Sequence, residues 1–236
     1  MRIGVICEGP TDYVAIESFF GAALADRNFN VTFVSLQPDM DATQSHGGWT
    51  LVETWLNNNP PLARVRRYFG GGLFANDLDT KQCDVFLIQI DSDILDDESF
   101  VASVQNKYEI NANGIVGSND RQEKIIDILR SWCNLTECND DDKNRHIICP
   151  AVENTEAWCI AAFSRYPGIE ELSKAELIVP FMTAMHRSEG REIPDEILRI
   201  DKSLERRKSF CRANAQSGSR SAQSIQNRTV YRVYRC

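Results

Sequence analysis

The sequence predicts an α/β fold: a Rossmann-like, three-layer domain with a mostly parallel central sheet, followed by a helical and basic C-terminal extension. Short apolar runs alternate along the chain with segments whose apolar residues recur at helical spacing. Strands that alternate with helices form parallel sheets with helices on both faces. The 236 residues are 42% hydrophobic and 25% charged, a composition typical of globular domains.

Four apolar runs are predicted to be strands, because they are short, rich in β-branched or aromatic residues, and bounded by charged or turn-forming residues. They comprise residues 3–7, 31–36, 84–90 and 145–149. Helical patterns are predicted at residues 49–56, 100–108 and 120–133, and two further helices begin near residues 11 and 153. Strand and helix therefore alternate through the first two thirds of the chain.

Charge divides the chain into two predicted parts, a domain over residues 1–165 and an extension over residues 166–236. From residue 201 onward, nine Lys or Arg stand against two acidic residues, a balance of +7. Since the whole chain carries −8, the first 200 residues carry −15. We expect the extension to be helical, with a basic tail that is flexible around residues 213–219, where turn-forming and polar residues accumulate.

The composition favours a cytoplasmic protein without a membrane partner. The eight cysteines form no C-x-x-C pair, and the three histidines are too dispersed for a zinc site. No apolar stretch approaches the roughly 20 residues that a membrane helix needs. The first residues enter a strand directly, without a signal-peptide pattern. These features fit a protein with free cysteines in a reducing compartment better than a protein held together by disulfides.

Acidic residues follow three of the predicted strands. They are Glu8 and Asp12, then Asp91 and Asp93, then Glu153 and Glu156. The carboxyl ends of parallel strands meet at one edge of a sheet, where open α/β sheets bind their ligands. Carboxylate oxygens are preferred ligands of Mg²⁺ and Mn²⁺, and several carboxylates in one cleft repel one another unless cations are present. The sequence therefore predicts a magnesium or manganese site.

Glu8, Asp91 and Asp93 are the predicted catalytic metal core, because Asp91 and Asp93 point the same way along an extended segment and Glu8 arrives from a neighbouring strand. Glu153 and Glu156 lie three residues apart on a predicted helix, so they share a face, and one or both can hold a second ion. Asp12 is either a metal ligand or a helix cap. The competing interpretation of these acids is structural, as caps or as first-turn residues favoured by the helix dipole.

Two motifs resemble those of the TOPRIM superfamily. In Val5–Asp12 a strand ends in Glu8, followed by glycine and a Thr-Asp step, which resembles the opening TOPRIM motif. Phe86–Asp93 is similar to the second hallmark of that superfamily, an Asp-x-Asp after a later hydrophobic strand. The order of the two motifs and their position at strand ends make the pair more specific than either motif alone. The resemblance covers roughly residues 1–165 and implies a TOPRIM domain there.

A third segment, Glu153–Trp158, resembles an acidic Glu-x-x-Glu-Ala-Trp element of small stand-alone TOPRIM proteins, many of them encoded in bacterial phage-defence cassettes beside an ATPase. The resemblance to these proteins and to OLD-type nucleases implies a metal-dependent hydrolase. It would cleave phosphodiester bonds of DNA, or alternatively RNA, in antiviral defence. Nothing in the sequence resembles a Walker A loop, so an ATPase partner would be a separate chain; self-association is the other expected partnership.

Phosphodiester cleavage benefits from a cationic side chain, and the sequence leaves six choices open: Arg64, Arg66, Arg67, Lys81, Arg121 and Lys124. Nucleic acid is expected to bind four basic residues of the extension, which are Arg206, Arg207, Lys208 and Arg212. Alternatively, this basic segment docks on the acidic body. Gly70–Gly72 is interpreted as a hinge rather than a phosphate cradle, because no Lys-Ser/Thr follows it.

Two other functions compete with the nuclease. One is a non-catalytic TOPRIM module that binds a partner ATPase or nucleic acid. The other is a metal-dependent glycosyltransferase, in which Asp91-Ser92-Asp93 would bind the metal of a sugar nucleotide. The second alternative leaves the motif Glu8–Asp12 unexplained.

Overall fold

The computed structural model describes residues 1–40, 48–69, 81–163, 172–225 and 234–235. Within these ranges one sheet has the strand order β2-β1-β3-β4-β5. Its strands are β1 (Arg2–Ile6), β2 (Thr32–Gln37), β3 (Val85–Ile88), β4 (His146–Ile148) and β5 (Tyr234–Arg235). The first four are parallel, and β5 is a two-residue antiparallel edge beside β4. This confirms the predicted mostly parallel sheet.

Helices occupy most of the segments between the strands. They are α1 (Pro10–Ala25), α2 (Trp49–Asn58), α3 (Pro61–Arg64), α4 (Glu98–Tyr108), α5 (Ser118–Cys133), α6 (Asp140–Asn144), α7 (Thr155–Phe163), α8 (Lys174–Ser188) and α9 (Leu204–Ile225). Short 3₁₀ helices span Ser92–Asp96 and Leu135–Glu137, and a π-helix spans Val65–Phe69. The segment Gly70–Gly72 lies outside the described residues. Among the described helices, none has both the length and the apolar character to cross a membrane.

The sheet separates two hydrophobic clusters. Val5 and Leu87 project into a cluster shared with α1, α7, α8 and α9. Ile6 and Phe86 project to the opposite side, into a cluster shared with α2, α4 and α5. Successive side chains of a strand point to opposite faces, so continuously apolar strands are buried on both sides. The result is the predicted three-layer arrangement of helices, sheet and helices.

The C-terminal helices belong to the first of these clusters. Helix α9 lies against α1 and α7, and its Phe210 and Cys211 are fully buried. Phe210 also packs on Phe181 of α8, with 5.8 Å between the ring centroids. Helix α9 continues through residues 213–219, where the composition predicted flexibility. Ser, Asn and Gly have weak helix propensity, so composition alone does not predict a helix in that segment.

We expect Gly4→Ala to destabilise the protein by about 1–3 kcal/mol, because the central strand has no room for a methyl group. A Cβ at Gly4 would lie 2.7 Å from both Cys83 Sγ and Leu36 Cδ1. Gly21→Ala in α1 is the matched control, since its Cβ would meet Phe33 Cε2 at an ordinary 3.5 Å. That change should stabilise the protein by about 0.5–1 kcal/mol. Urea denaturation measures both, and equal effects would contradict the packing described.

Candidate functional site

The site forms where the parallel pairing of the strands continues into their exit loops. Beyond β3 and β4, Asp91 and Ala151 form a parallel bridge. The Ser92 amide donates to the Ala151 carbonyl at 3.1 Å, and the Asp93 amide donates to the Glu153 carbonyl at 3.0 Å. The exit loop of β3 is thereby held alongside that of β4. Since β1 lies on the other side of β3, three acidic loops meet at one edge of the sheet.

Ser92, the middle residue of Asp91-Ser92-Asp93, joins these loops to α5. Its side chain is fully buried, and its Oγ accepts the backbone N–H of Glu153 at 2.8 Å. Its carbonyl oxygen accepts a hydrogen bond from Nη2 of Arg121 at 2.9 Å. The sequence interpretation assigned no role to this residue, because a single serine between two acids carries no distinguishing pattern.

Glu8 and Asp91 lie together, as the sequence predicted. The Asp91 amide donates to Glu8 Oε1 at 2.8 Å, and Gln89 Nε2 donates to Asp91 Oδ1 at 2.7 Å. Burial, and then the negative charges of Asp12, Glu8 and Asp93, raise the pKa of Asp91 well above its ordinary value. The metal-free site therefore holds a carboxyl group that resists ionisation.

Asp93 is close to Asp91, but not in the way predicted. Asp91 has an extended backbone, whereas Asp93 lies in the first turn of the 3₁₀ helix. The expectation that both side chains point the same way along an extended segment is therefore wrong. Their charges still interact, and Asp93 also interacts electrostatically with Arg121 and Glu153. Asp93 thus interacts both with Asp91 and with the Arg121–Glu153 pair.

Asp12 does not cap α1. The N-cap of that helix is Gly9, which has no side chain to cap with, and Asp12 lies in the first turn. The Thr155 hydroxyl of α7 donates to Asp12 Oδ1 at 2.6 Å. Burial and the charge of Glu156 raise the pKa of Asp12 above its ordinary value. A Cβ at Gly9 would lie 3.3 Å from Asp12 Oδ2, so this carboxylate packs directly over the glycine.

Glu153 and Glu156 do not share a helix face, so the geometry expected of this pair is wrong, and the role of one or both as metal ligands stays a prediction. Helix α7 begins at Thr155, and Glu153 precedes it with φ of +59°. Glu153 Oε1 lies 3.5 Å from Nε of Arg121, whereas Glu156 Oε1 lies 2.5 Å from Nη2 of Arg207. A spacing of three residues places side chains on one face only inside a helix, and this pair straddles the helix start.

Arg207 was predicted to bind nucleic acid, and the structure contradicts this. Its side chain is 0% exposed, its guanidinium carbon lies 4.7 Å from the centroid of the Phe181 ring, and its Nη1 lies 3.6 Å from Cys159 Sγ. The first turn of α9 faces α7, so the arginine points into the protein. Burial alone would lower the pKa of Arg207, but neighbouring negative charge, including Glu156, raises it. Conversely, burial alone would raise the pKa of Glu156, but Arg207 holds it below its ordinary value.

The other three predicted nucleic-acid contacts differ in accessibility. Arg206 is bound by two carboxylates, with Nη2 2.6 Å from Glu189 Oε2 and Nη1 2.5 Å from Asp201 Oδ2. Lys208 Nζ lies 3.2 Å from Oε1 of the exposed Glu205. Arg212 has an exposed side chain. Arg206 therefore fixes the start of α9, while Lys208 and Arg212 face outward.

Among the six basic residues that the sequence left open for catalysis, Arg121 lies at the acidic edge. It bonds Asp96 through Nη1 at 2.9 Å and Nη2 at 3.0 Å, in addition to its contact with the Ser92 carbonyl. Arg64 is instead buried in the core, where it donates to the Cys133 carbonyl. Lys202, which the sequence interpretation counted only as tail charge, is exposed and interacts electrostatically with Asp12 and Glu156. Nothing in the sequence around Lys202 indicates that it interacts with these two carboxylates.

The chemistry of the donors fits a hard divalent cation, although the described residues contain no group of three or more His, Cys, Asp or Glu arranged to hold a metal. The fully buried Gln89 contacts Asp91 through its amide nitrogen, while its Oε1 has no hydrogen-bond partner. A buried carbonyl oxygen without a donor is unusual and calls for an ion or a water molecule. The repulsion that contributes to the raised pKa of Asp91 would likewise be relieved by a bound cation.

Comparison of the chain with protein-family models, with curated proteins and with solved structures found no match.

We expect Asp91→Asn to stabilise the metal-free protein at neutral pH. The folded pKa of Asp91 lies above its unfolded value of about 3.9, so the ionised side chain destabilises the folded state. The penalty is complete above the raised pKa and shrinks as the pH falls from that pKa to the unfolded value, so the benefit of Asp91→Asn should vanish towards about pH 4. Urea denaturation in chelator at several pH values measures this.

Asp127→Asn is the control for this experiment, because its side chain is 59% exposed and its ion pair with Arg130 spans 3.8 Å. Its effect should stay within about 0.5 kcal/mol at every pH. An Asp91→Asn protein that is less stable than wild type at neutral pH would contradict the assigned environment.

Ser92→Ala should cost about 1–3 kcal/mol of stability, because the backbone N–H of Glu153 loses its acceptor beside a buried side chain. Ser99→Ala is the matched control. It removes the hydroxyl that donates to Asp97 Oδ1 at 2.6 Å on the exposed surface, so its cost should stay below about 0.5 kcal/mol. Thermal and urea unfolding compare the two variants. Equal losses of stability would contradict the view that the hydrogen bond from the Glu153 amide to Ser92 Oγ holds the two exit loops together.

Proposed function

We propose that this protein is a divalent-metal-dependent nuclease of TOPRIM type, which cleaves phosphodiester bonds of DNA or, alternatively, RNA. The observation that supports it best is the meeting of Glu8 and Asp91. These residues are 83 positions apart in the chain, yet the Asp91 amide lies 2.8 Å from Glu8 Oε1. These two acids of the resembling motifs are thus in direct contact, at the edge of the sheet where α/β folds bind ligands.

Glu8, Asp12 and Asp91 would hold Mg²⁺ or Mn²⁺, with Asp93 and the Gln89 carbonyl oxygen beside them. A bound ion of this kind polarises a phosphoryl oxygen and lowers the pKa of a water ligand. The protein's own contribution is to fix the carboxylates in place. The hydrogen bond between the Glu153 amide and Ser92 Oγ orients Asp91 and Asp93, and the Thr155 hydroxyl orients Asp12.

Lys202 supplies positive charge to these carboxylates. It is exposed, interacts electrostatically with Asp12, and directly follows Asp201, which bonds Arg206 and the Ser203 amide. A cation there can offset the charge that develops on a phosphate oxygen during cleavage. We therefore place Lys202 among the groups that contact substrate.

The route by which nucleic acid reaches the site involves few basic residues of this chain. The first 200 residues carry −15, and Arg206 and Arg207 are engaged internally. Long-range repulsion would slow the approach of a polyanion to such a body. We propose that Lys208 and Arg212, together with a partner chain or a second copy, present the substrate. A separate ATPase is the partner type that the motif resemblance implies.

A non-catalytic binding module is the second candidate. It is favoured by the finding that the described carboxylates form no ready three-residue metal group. In that case Glu8→Ala would leave the biological activity intact, and the chain would copurify with its partner.

The nuclease test uses labelled single-stranded DNA, duplex DNA and RNA, with Mg²⁺ or Mn²⁺ and with excess chelator. We expect metal-dependent cleavage that falls about 10²–10³-fold in Asp91→Ala, because the variant loses a carboxylate at the proposed metal. Asp127→Ala, on the exposed face of α5, should cleave like wild type. Robust cleavage in excess chelator would refute the metal mechanism. Hydrolysis of sugar nucleotides without nucleic-acid cleavage would indicate a glycosyltransferase instead.

A further inference from the structure

Arg121 reaches the acidic edge of the sheet from α5, a helix that carries none of the acids predicted at the site. Its side chain is 11% exposed, and its nitrogens face oxygens of the protein. Nη1 lies 2.9 Å from Asp96 Oδ1, Nη2 lies 2.9 Å from the Ser92 carbonyl oxygen, and Nε lies 3.5 Å from Glu153 Oε1. Little of the guanidinium is therefore left to face a substrate.

The contact with Ser92 holds the peptide group that lies between Asp91 and Asp93. The carbonyl of that peptide group belongs to Ser92 and accepts the hydrogen bond from Arg121. Its N–H belongs to Asp93 and donates to the Glu153 carbonyl at 3.0 Å. Because a peptide group is planar, hydrogen bonds at both of its ends fix its orientation. They thereby set how Asp93 is placed relative to Asp91.

The donor of this hydrogen bond is charged and firmly anchored. An arginine stays charged throughout the pH range of folded proteins, and a charge-assisted hydrogen bond is roughly twice as strong as a neutral one. Asp96 accepts from both Nη1 and Nη2 of Arg121, at 2.9 and 3.0 Å, which fixes the plane of the guanidinium. Helix α5 is itself anchored by fully buried side chains such as Ile125 and Leu129. The loop at Ser92 is thus tied to the hydrophobic core.

We propose that Arg121 is a positioning residue for the proposed reaction: it holds Asp91 and Asp93 in place through the Ser92 carbonyl and does not contact the substrate. The inference rests on the proposed function, in which Asp91 would hold the metal ion and Asp93 lies beside it. Removing a residue that orients metal ligands typically lowers activity or metal affinity by about 10–100-fold. The cation that contacts the substrate is then a different residue, such as Lys202.

Cleavage kinetics of the full-length protein in saturating Mn²⁺ test this role. Arg121→Met removes every donor but keeps an unbranched side chain. Its kcat should fall about 10–100-fold with KM unchanged, because the substrate itself loses no contact. Arg121→Lys keeps the charge but lacks the planar fork that bonds Ser92 and Asp96 together, so it should recover part of the lost kcat. Arg130→Met is the matched control on α5: its side chain is 47% exposed, its ion pair with Asp127 spans 3.8 Å, and it should cleave like wild type.

Hydrogen exchange of single backbone amides, followed by NMR in chelator, tests the same role without any activity. The amides of Ser92, Asp93 and Glu153 are bonded across the two exit loops. In Arg121→Met they should exchange faster by about tenfold more than the amides of the central strand β1, which report unfolding of the whole protein. Arg121→Lys should show a smaller difference, and Arg130→Met should show none.

Arg121 positions the acidic loop if the exchange effect is local and kcat falls at unchanged KM. A raised KM with unchanged kcat would mean that Arg121 contacts the substrate, and equal acceleration in the loop and in β1 would make it an ordinary stabilising residue. Either result would overturn the proposal, as would failure of both Arg121→Met and Arg121→Lys to fold. Absence of metal-dependent cleavage in the wild type would refute the proposed nuclease, whereas the exchange rates would still decide whether Arg121 holds the loop.

Discussion

Repulsion among carboxylates at one edge of the sheet is the constraint around which this structure is organised. The parallel strands bring their acidic exit loops together. Each partly buried carboxylate then needs a positive charge or hydrogen-bond donors to offset its lost hydration and the repulsion from its neighbours. Arg207 neutralises Glu156, and Arg121 neutralises Glu153 and Asp96. Asp91 and Asp12 instead accept hydrogen bonds from the neutral groups of Gln89 and Thr155, and repulsion from neighbouring acids contributes to the raised pKa of both. That repulsion is the physical basis of the proposed metal site.

The C-terminal helix is part of this compensation. Helix α9 packs on α1 and α7, and its first turn inserts Arg207 beside α7. Lys202, just before this helix, interacts electrostatically with Asp12. A buried charge is costly unless it is paired, and Glu156 pairs with Arg207, so helix and site stabilise each other. The positive charge of this region therefore acts partly inside the protein. Of the four basic residues predicted to bind nucleic acid, Lys208 and Arg212 remain candidates.

The main features of the fold could be predicted because they depend on local patterns. Apolar runs such as Val85–Ile88 identify buried strands, and residues at the exits of parallel strands must share an edge, which is why Glu8 and Asp91 were correctly placed together. The placement of Glu153 and Glu156 failed for a local reason, the exact start of α7, which sequence patterns locate only to within a few residues. Membership of the TOPRIM superfamily stays a prediction from motifs.

The sequence alone determined which residues are available: three acidic strand exits, alternating elements, and a basic C-terminal segment opposed to an acidic body. Only the tertiary structure decided how the charges pair, because Arg207 and Glu156 are 51 positions apart and nothing in either neighbourhood encodes their contact. Buried ion pairs depend on which helix faces pack together. Packing of α9 against α7 therefore gave Glu156 a buried cationic partner that no local pattern predicts.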